Sequence, residues 1–189
     1  MRKLLVYLGL SLIATSLNSL SLSAKASVPQ QSQLTSAHRD YVALTGADQK
    51  EVAKKTNELL TANGEIARTI AKGLGADATA GTPPDGDIFK QNLFLILQNQ
   101  KTFRSIAEKI GATAAPAGAV EGADQSAKNH SILLTNKKIV GQILKKLGIT
   151  PTPPTLTGTF EEKNVTLLIG NRAALDKIDA KLKEVGKLK

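Results

Sequence analysis

The sequence predicts an all-α fold, an up-down four-helix bundle made from four one-helix internal repeats of about 36 residues each. One apolar pattern recurs four times, and each recurrence has an asparagine at its centre. Glycine follows three of the four patterns, and proline-containing links separate them. The central asparagines are Asn63, Asn99, Asn136 and Asn171. Their nearly constant spacing is typical of repeated supersecondary units.

Within each repeat, the apolar residues are three and four positions apart, as they are on one face of a helix. The second repeat shows this spacing at Ile88, Leu95, Phe103, Ile106 and Ile110. The pattern passes through the central asparagine without a change of phase. Each repeat therefore predicts one helix of about 24 to 28 residues rather than two short ones.

The ends of the patterns carry residues that begin and end helices. Thr159 and Glu162 have the spacing of a capping box. Asp48 and Glu51 have the same spacing before the first pattern, and Asp87 and Asp124 stand at N-cap positions. The glycines suited to a left-handed C-cap are Gly75, Gly111 and Gly148. These signals predict helices over about 48–75, 87–110, 124–148 and 159–186.

Three short apolar runs leave an alternative fold, an α/β repeat of strand-turn-helix units. The runs are residues 93–97, 132–134 and 165–169. In that fold, the chain would reach each strand through more than about a dozen residues without structure, which is unusual for such units. Residues 57–62 of the first repeat also lack the composition of a strand. The helical interpretation is therefore preferred.

Residues 1–26 predict a cleavable signal peptide. Arg2 and Lys3 precede an apolar stretch, and the small residues around Ala24 and Ala26 suit a signal peptidase. We therefore expect a secreted or periplasmic protein that begins at Ser27 after cleavage near Ala26. Residues 27–44 predict a flexible lead-in, and residues 45–189 predict the four-helix repeat domain. The chain is cysteine-free, so no disulfide can form.

The four central asparagines predict a polar layer inside the bundle. Antiparallel helices share the same height only at their midpoints, where these asparagines are expected. We therefore expect their amides to be buried, to satisfy one another and to fix the register of the helices. A second set lies seven residues earlier, with Asn92 and Asn164 expected toward one end of the bundle and Asn129 toward the other.

Apolar residues also lie on the outer side of the predicted helices, opposite the core stripe. They are Phe94, Leu97, Leu134 and Ile169. A bundle helix buries a stripe only about 100° wide, so these side chains fall outside the expected core. They predict an interaction surface that a protein partner or a second copy of the chain covers.

The sequence contains no pattern typical of an enzyme. Its two histidines, His38 and His130, do not have the spacing of metal ligands, and there is no cysteine. Neither a Gly-rich phosphate loop nor a nucleophile elbow is found. We therefore expect no catalytic residues, no cofactor and no metal site.

Composition narrows the choice of partner. The formal charge of +9 makes an anionic membrane surface a candidate. Nucleic acid is disfavoured because aromatic residues that could stack on bases are scarce. The sequence predicts an exported, non-enzymatic helical-bundle protein, a binding, accessory or structural module in the cell envelope or outside the cell. Two alternatives remain: a small-ligand carrier that uses the Asn-lined core, and a cationic membrane-active bundle.

Overall fold

The computed structural model describes residues 49–188, so the predicted signal peptide, the lead-in and Asp48 lie outside the described residues. Within them, the chain forms four helices and no strand: α1 (Gln49–Gly73), α2 (Ile88–Lys109), α3 (Gln125–Lys146) and α4 (Phe160–Glu184). Each helix packs mainly against two others, and α4 closes the ring by packing against α1. The predicted all-α four-helix bundle is confirmed, and the alternative α/β repeat is wrong.

The helix ends follow the capping signals of the sequence. The side chain of Asp87 accepts a hydrogen bond from the Phe89 amide at the start of α2. Asp124 does the same for α3, and Thr159 forms a complete capping box with Glu162 at the start of α4. Glycines with positive φ follow all four helices, at 64° for Gly75, 71° for Gly111, 75° for Gly148 and 68° for Gly186, of which the sequence predicted the first three. These cap predictions are confirmed.

The helices run parallel, which corrects the predicted up-down order. Asn92 Nδ2 in α2 donates to the main-chain oxygen of Ala53 in α1 over 2.9 Å. Asn99 Nδ2, seven residues later, donates over 2.8 Å to the main-chain oxygen of Leu60, which is also seven residues later. Contacts that advance together along both helices can form only between parallel helices.

The two apolar clusters of the core show that all four helices run in the same direction. One apolar cluster draws on the C-terminal halves of all four helices, including Ile70, Phe103, Ile143 and Ile178. The other draws on the N-terminal halves, with Leu60, Ile96, Ile132, Leu133, Leu167 and Leu168 buried in it. An up-down bundle would mix N-terminal and C-terminal halves in each cluster. All four helices therefore begin at one end of the bundle and finish at the other.

Long connections make the parallel arrangement accessible to a single chain. We call residues 74–87, 110–124 and 147–159 the return segments, since they connect successive helices. A helix of 22 residues is about 33 Å long, and about 12 extended residues can span about 40 Å. The second return segment runs back along α3. Its Ala115 amide donates to Gln142 Oε1, and further along, its Glu121 amide donates to Ser131 Oγ.

The helix direction can be tested by distances between spin labels, since the chain has no cysteine of its own. Labels at Lys109→Cys and Lys146→Cys stand at the ends of neighbouring parallel helices, so we expect a separation under about 20 Å. In the control pair, Lys109→Cys with Lys128→Cys, the labels should be displaced by about 27 Å along the bundle axis. Pulsed electron paramagnetic resonance measures both distances. Antiparallel helices would make the first distance the longer of the two.

Candidate functional site

The four central asparagines are all buried, with 1% to 3% of their surface exposed. Three of them donate from Nδ2 to a main-chain oxygen of the preceding helix in the ring. The bonds are Asn99 to Leu60 at 2.8 Å, Asn136 to Ile96 at 3.1 Å and Asn63 to Leu168 at 2.9 Å. Each acceptor lies three residues before the central asparagine of its own helix. Hydrogen bonds from side chain to main chain therefore hold this layer together. The sequence instead predicted hydrogen bonds between the asparagine side chains.

The second set of asparagines forms a similar layer nearer the N-terminal ends of the helices. Asn92 donates to α1 as described above, and Asn164 Nδ2 donates over 3.3 Å to the main-chain oxygen of Ser126 in α3. Asn129 Oδ1 accepts from Gln125 Nε2 over 3.1 Å. Because the helices are parallel, all three lie toward the same end. The expectation that Asn129 would lie at the opposite end is wrong.

We call the five asparagines that donate to a preceding helix the asparagine ladder: Asn63, Asn92, Asn99, Asn136 and Asn164. The amide oxygens of three members have side-chain partners one helix earlier. The partners are Asn57 for Asn92, Gln100 for Asn136 and His130 for Asn164, at 2.9 to 3.0 Å.

Sequence reasoning missed the partners Asn57 and Gln100. A signal for them exists, because each of the three partners directly follows a position equivalent to a ladder asparagine. The residue after such a position therefore faces the asparagine of the next helix.

Among the four central asparagines, only Asn136 has such a side-chain partner, and two of the other three have an amide oxygen that is buried and unpaired among the described residues. Asn63 Oδ1 and Asn171 Oδ1 are buried without a hydrogen-bond partner among the described residues. The positions that correspond to Gln100 are held here by Arg172 and Lys137. Arg172 Nε instead lies 3.5 Å from the carboxylate of Asp176, within its own helix. A buried polar atom without a partner costs about 1–3 kcal/mol, so the ladder is weakest on both sides of α4.

Gly64 makes room for the closest approach in the ladder. A Cβ atom built on Gly64 would lie 2.5 Å from Asn99 Oδ1, which is closer than non-bonded contacts of a Cβ atom allow. Glycine is a poor helix former, at about 1 kcal/mol relative to alanine. Its presence in the middle of α1 is therefore explained by the asparagine that packs against it.

The predicted interaction surface is largely shielded by the chain itself. Phe94, Leu134 and Ile169 are half-buried, and Leu97 is 37% exposed. The first return segment passes over Phe94, since a Cβ on Gly81 would meet its ring at 2.7 Å. Whether a partner or a second copy binds at these residues stays a prediction, and Leu97 is its most accessible member.

The parallel direction gathers lysines at the C-terminal end of the bundle. Five exposed lysines there form no ion pair with the described residues, and we call them the basic end: Lys72, Lys109, Lys145, Lys146 and Lys187. Lys109 Nζ lies beside Gly75, and Lys146 Nζ lies beside Gly111, so lysines of one helix reach the C-cap of the helix before. Four aligned helix dipoles place partial negative charge at this end, which the ammonium groups offset.

Two kinds of feature are absent from the described residues. No cluster of three or more His, Asp or Glu side chains that could hold a metal ion occurs among residues 49–188. In the same part of the chain, no helix is long and apolar enough to cross a membrane. His130 is engaged with Asn164.

Replacing Asn136 and Asn171 by leucine in turn compares a paired with an unpaired asparagine in one layer. Asn136→Leu removes two hydrogen bonds and leaves Gln100 Nε2 without its partner, so it should lower the free energy of unfolding by about 1–3 kcal/mol. Asn171→Leu removes an oxygen that has no partner, so we expect a smaller loss or a gain. Chemical denaturation of both variants measures the difference, and equal losses would contradict the described hydrogen bonding.

A double-mutant cycle tests the contact between Gly64 and Asn99. Gly64→Ala alone should destabilise the protein, because the new methyl group collides with Asn99 Oδ1. In an Asn99→Ala background the same change should be neutral or stabilising, by up to about 1 kcal/mol from helix propensity. Additive effects in denaturant melts would show that the two residues do not touch.

Comparisons of the chain with protein-family models, with curated proteins and with solved structures find no match.

Proposed function

We propose that this chain is an exported, non-enzymatic binding module that attaches to an anionic surface through its basic end. The observation that carries the proposal is the collection of five exposed lysines, which form no ion pair with residues 49–188, on one end of a parallel bundle. In the predicted up-down order these residues would have been divided between the two ends. The bundle acts as a rigid support that presents them together.

The distribution of acids supports this choice of surface. The N-terminal end carries carboxylates at or near each helix start, including Glu51, Asp87, Asp124 and Glu162. At the other end, Glu184 pairs with Lys181 over 2.6 Å, and Asp179 pairs with Lys183 over 2.7 Å. The lysines of the basic end form no such pair with any described carboxylate, including the exposed Glu108 that precedes Lys109. The molecule is therefore polarised along its axis, and its positive end is the one that an anionic partner would meet first.

The ladder supports a structural rather than a ligand-binding role for the asparagines. A polar carrier would need amide groups that are free to bind its cargo. Here the Nδ2 groups of five asparagines are already bonded to neighbouring helices. The surface is thus a better candidate than the asparagine core for the site of function.

The test is binding of the purified protein to lipid vesicles that contain phosphatidylglycerol, with vesicles of phosphatidylcholine alone as the neutral reference. We expect co-sedimentation with the anionic vesicles only, falling as salt is raised because exposed charges are screened within about 10 Å at 0.1 M salt. A triple variant, Lys109→Gln with Lys145→Gln and Lys146→Gln, should lose most of this binding.

A matched triple variant at the opposite end, Lys90→Gln with Lys128→Gln and Lys163→Gln, changes the net charge by the same amount. It should keep most of the binding if the basic end is the contact. Equal loss in both variants would show that net charge alone is responsible. Equal binding to neutral and anionic vesicles, or none to either, would refute the proposal.

A further inference from the structure

A groove of about 340 Å³ lies between α3, α4 and the third return segment. Its walls are mainly apolar, with Leu144, Pro153, Pro154, Ile169, Ala173 and Ala174 among the lining residues. Lys137 and Lys177 supply the charged groups, and no carboxylate lines the groove. The volume lies within the range of about 300–1,000 Å³ that is usual for small-molecule sites.

Lys137 is in an unfavourable position for a cation. Its side chain is half-buried, and neither Lys137 nor Lys177 forms an ion pair with the described residues. Burial lowers the pKa of Lys137 below its ordinary value, and the nearby positive charge of Lys177 lowers it further. An anion placed against both ammonium groups would relieve the repulsion and the lack of a counter-charge together.

Lys137 also departs from the hydrogen bonding of the asparagine ladder. It directly follows Asn136, and in the preceding helix the equivalent Gln100 donates to the next asparagine. Lys137 makes no such bond, and Asn171 Oδ1 is left without a partner. Its ammonium lies instead near Gly170, where a Cβ would be 3.5 Å from Nζ, and both residues line the groove. The ammonium group of Lys137 is therefore part of the groove wall and does not take part in the hydrogen bonding of the core.

We propose that this groove binds an aliphatic carboxylate of medium chain length. The carboxylate head group contacts Lys137 and Lys177, because ammonium–carboxylate hydrogen bonds are the stronger, charge-assisted kind. The alkyl chain lies along Ile169 and the two prolines. Proline has no main-chain N–H, so this part of the wall presents apolar surface without donors.

Isothermal titration calorimetry of the purified protein with octanoate tests the proposal. Octanol probes the alkyl group without the carboxylate, and acetate probes the carboxylate without a long alkyl group. We expect saturable binding of one octanoate per chain, and binding of the other two probes that is weaker by about tenfold or more. Lys137→Gln should weaken octanoate binding about tenfold, and Lys177→Gln should weaken it as well. Ala173→Leu should reduce it by filling the groove.

Lys138→Gln is the matched control, since Lys138 is exposed on the same helix and does not line the groove. It should leave octanoate affinity unchanged, and thermal melts check that all variants fold. The proposal is overturned if octanoate does not saturate, if octanol binds equally well, or if Lys138→Gln has the same effect as Lys137→Gln. Acetate or inorganic phosphate binding as tightly as octanoate would also overturn it, because the groove would then recognise only a small anion.

Discussion

The fold depends on one hydrogen bond that recurs around the ring, from an asparagine Nδ2 to a main-chain oxygen of the preceding helix. Apolar side chains alone tolerate sliding and reversal, since their contacts have no direction. A buried amide does not, because a lost partner costs more than the bond contributes. The bonds from Asn92 and Asn99 fix both the height and the direction of α2 against α1. They oppose the repulsion between aligned dipoles, which would otherwise favour antiparallel neighbours.

The sequence was sufficient to predict the helices but not their direction. Apolar spacing and cap residues such as Asp87 and Thr159 are local signals, and the helices follow them closely. Direction depends on which ends meet in space, and apolar periodicity is the same for both orders. The usable signal was the length of the return segments, which exceeds the few residues that connect antiparallel helices in bundles. The same length disfavours the α/β alternative, and it fits parallel helices.

The candidate site was predictable in part for the same reason. Burial of Asn63 and its counterparts is consistent with their place on the apolar stripe, so their location could be read from the period. Their acceptors are main-chain oxygens, which carry no residue-specific signal in a sequence. The basic end could not be predicted either, because Lys109 and Lys146 lie at the same end of the bundle only when the helices are parallel.

The closure of the ring between α1 and α4 has a consequence for how the protein assembles. The bond from Asn63 to Leu168 joins residues 105 positions apart, whereas the other ladder bonds join residues about 40 apart. Contacts between residues far apart in the sequence form late, because the entropy cost of closing the loop between them comes before the contact energy. A three-helix intermediate would therefore have two open edges, each with the polar groups of a missing neighbour. Long return segments would let α4 of another chain fill that gap, so we expect domain-swapped dimers to be the main misassembled form at high concentration.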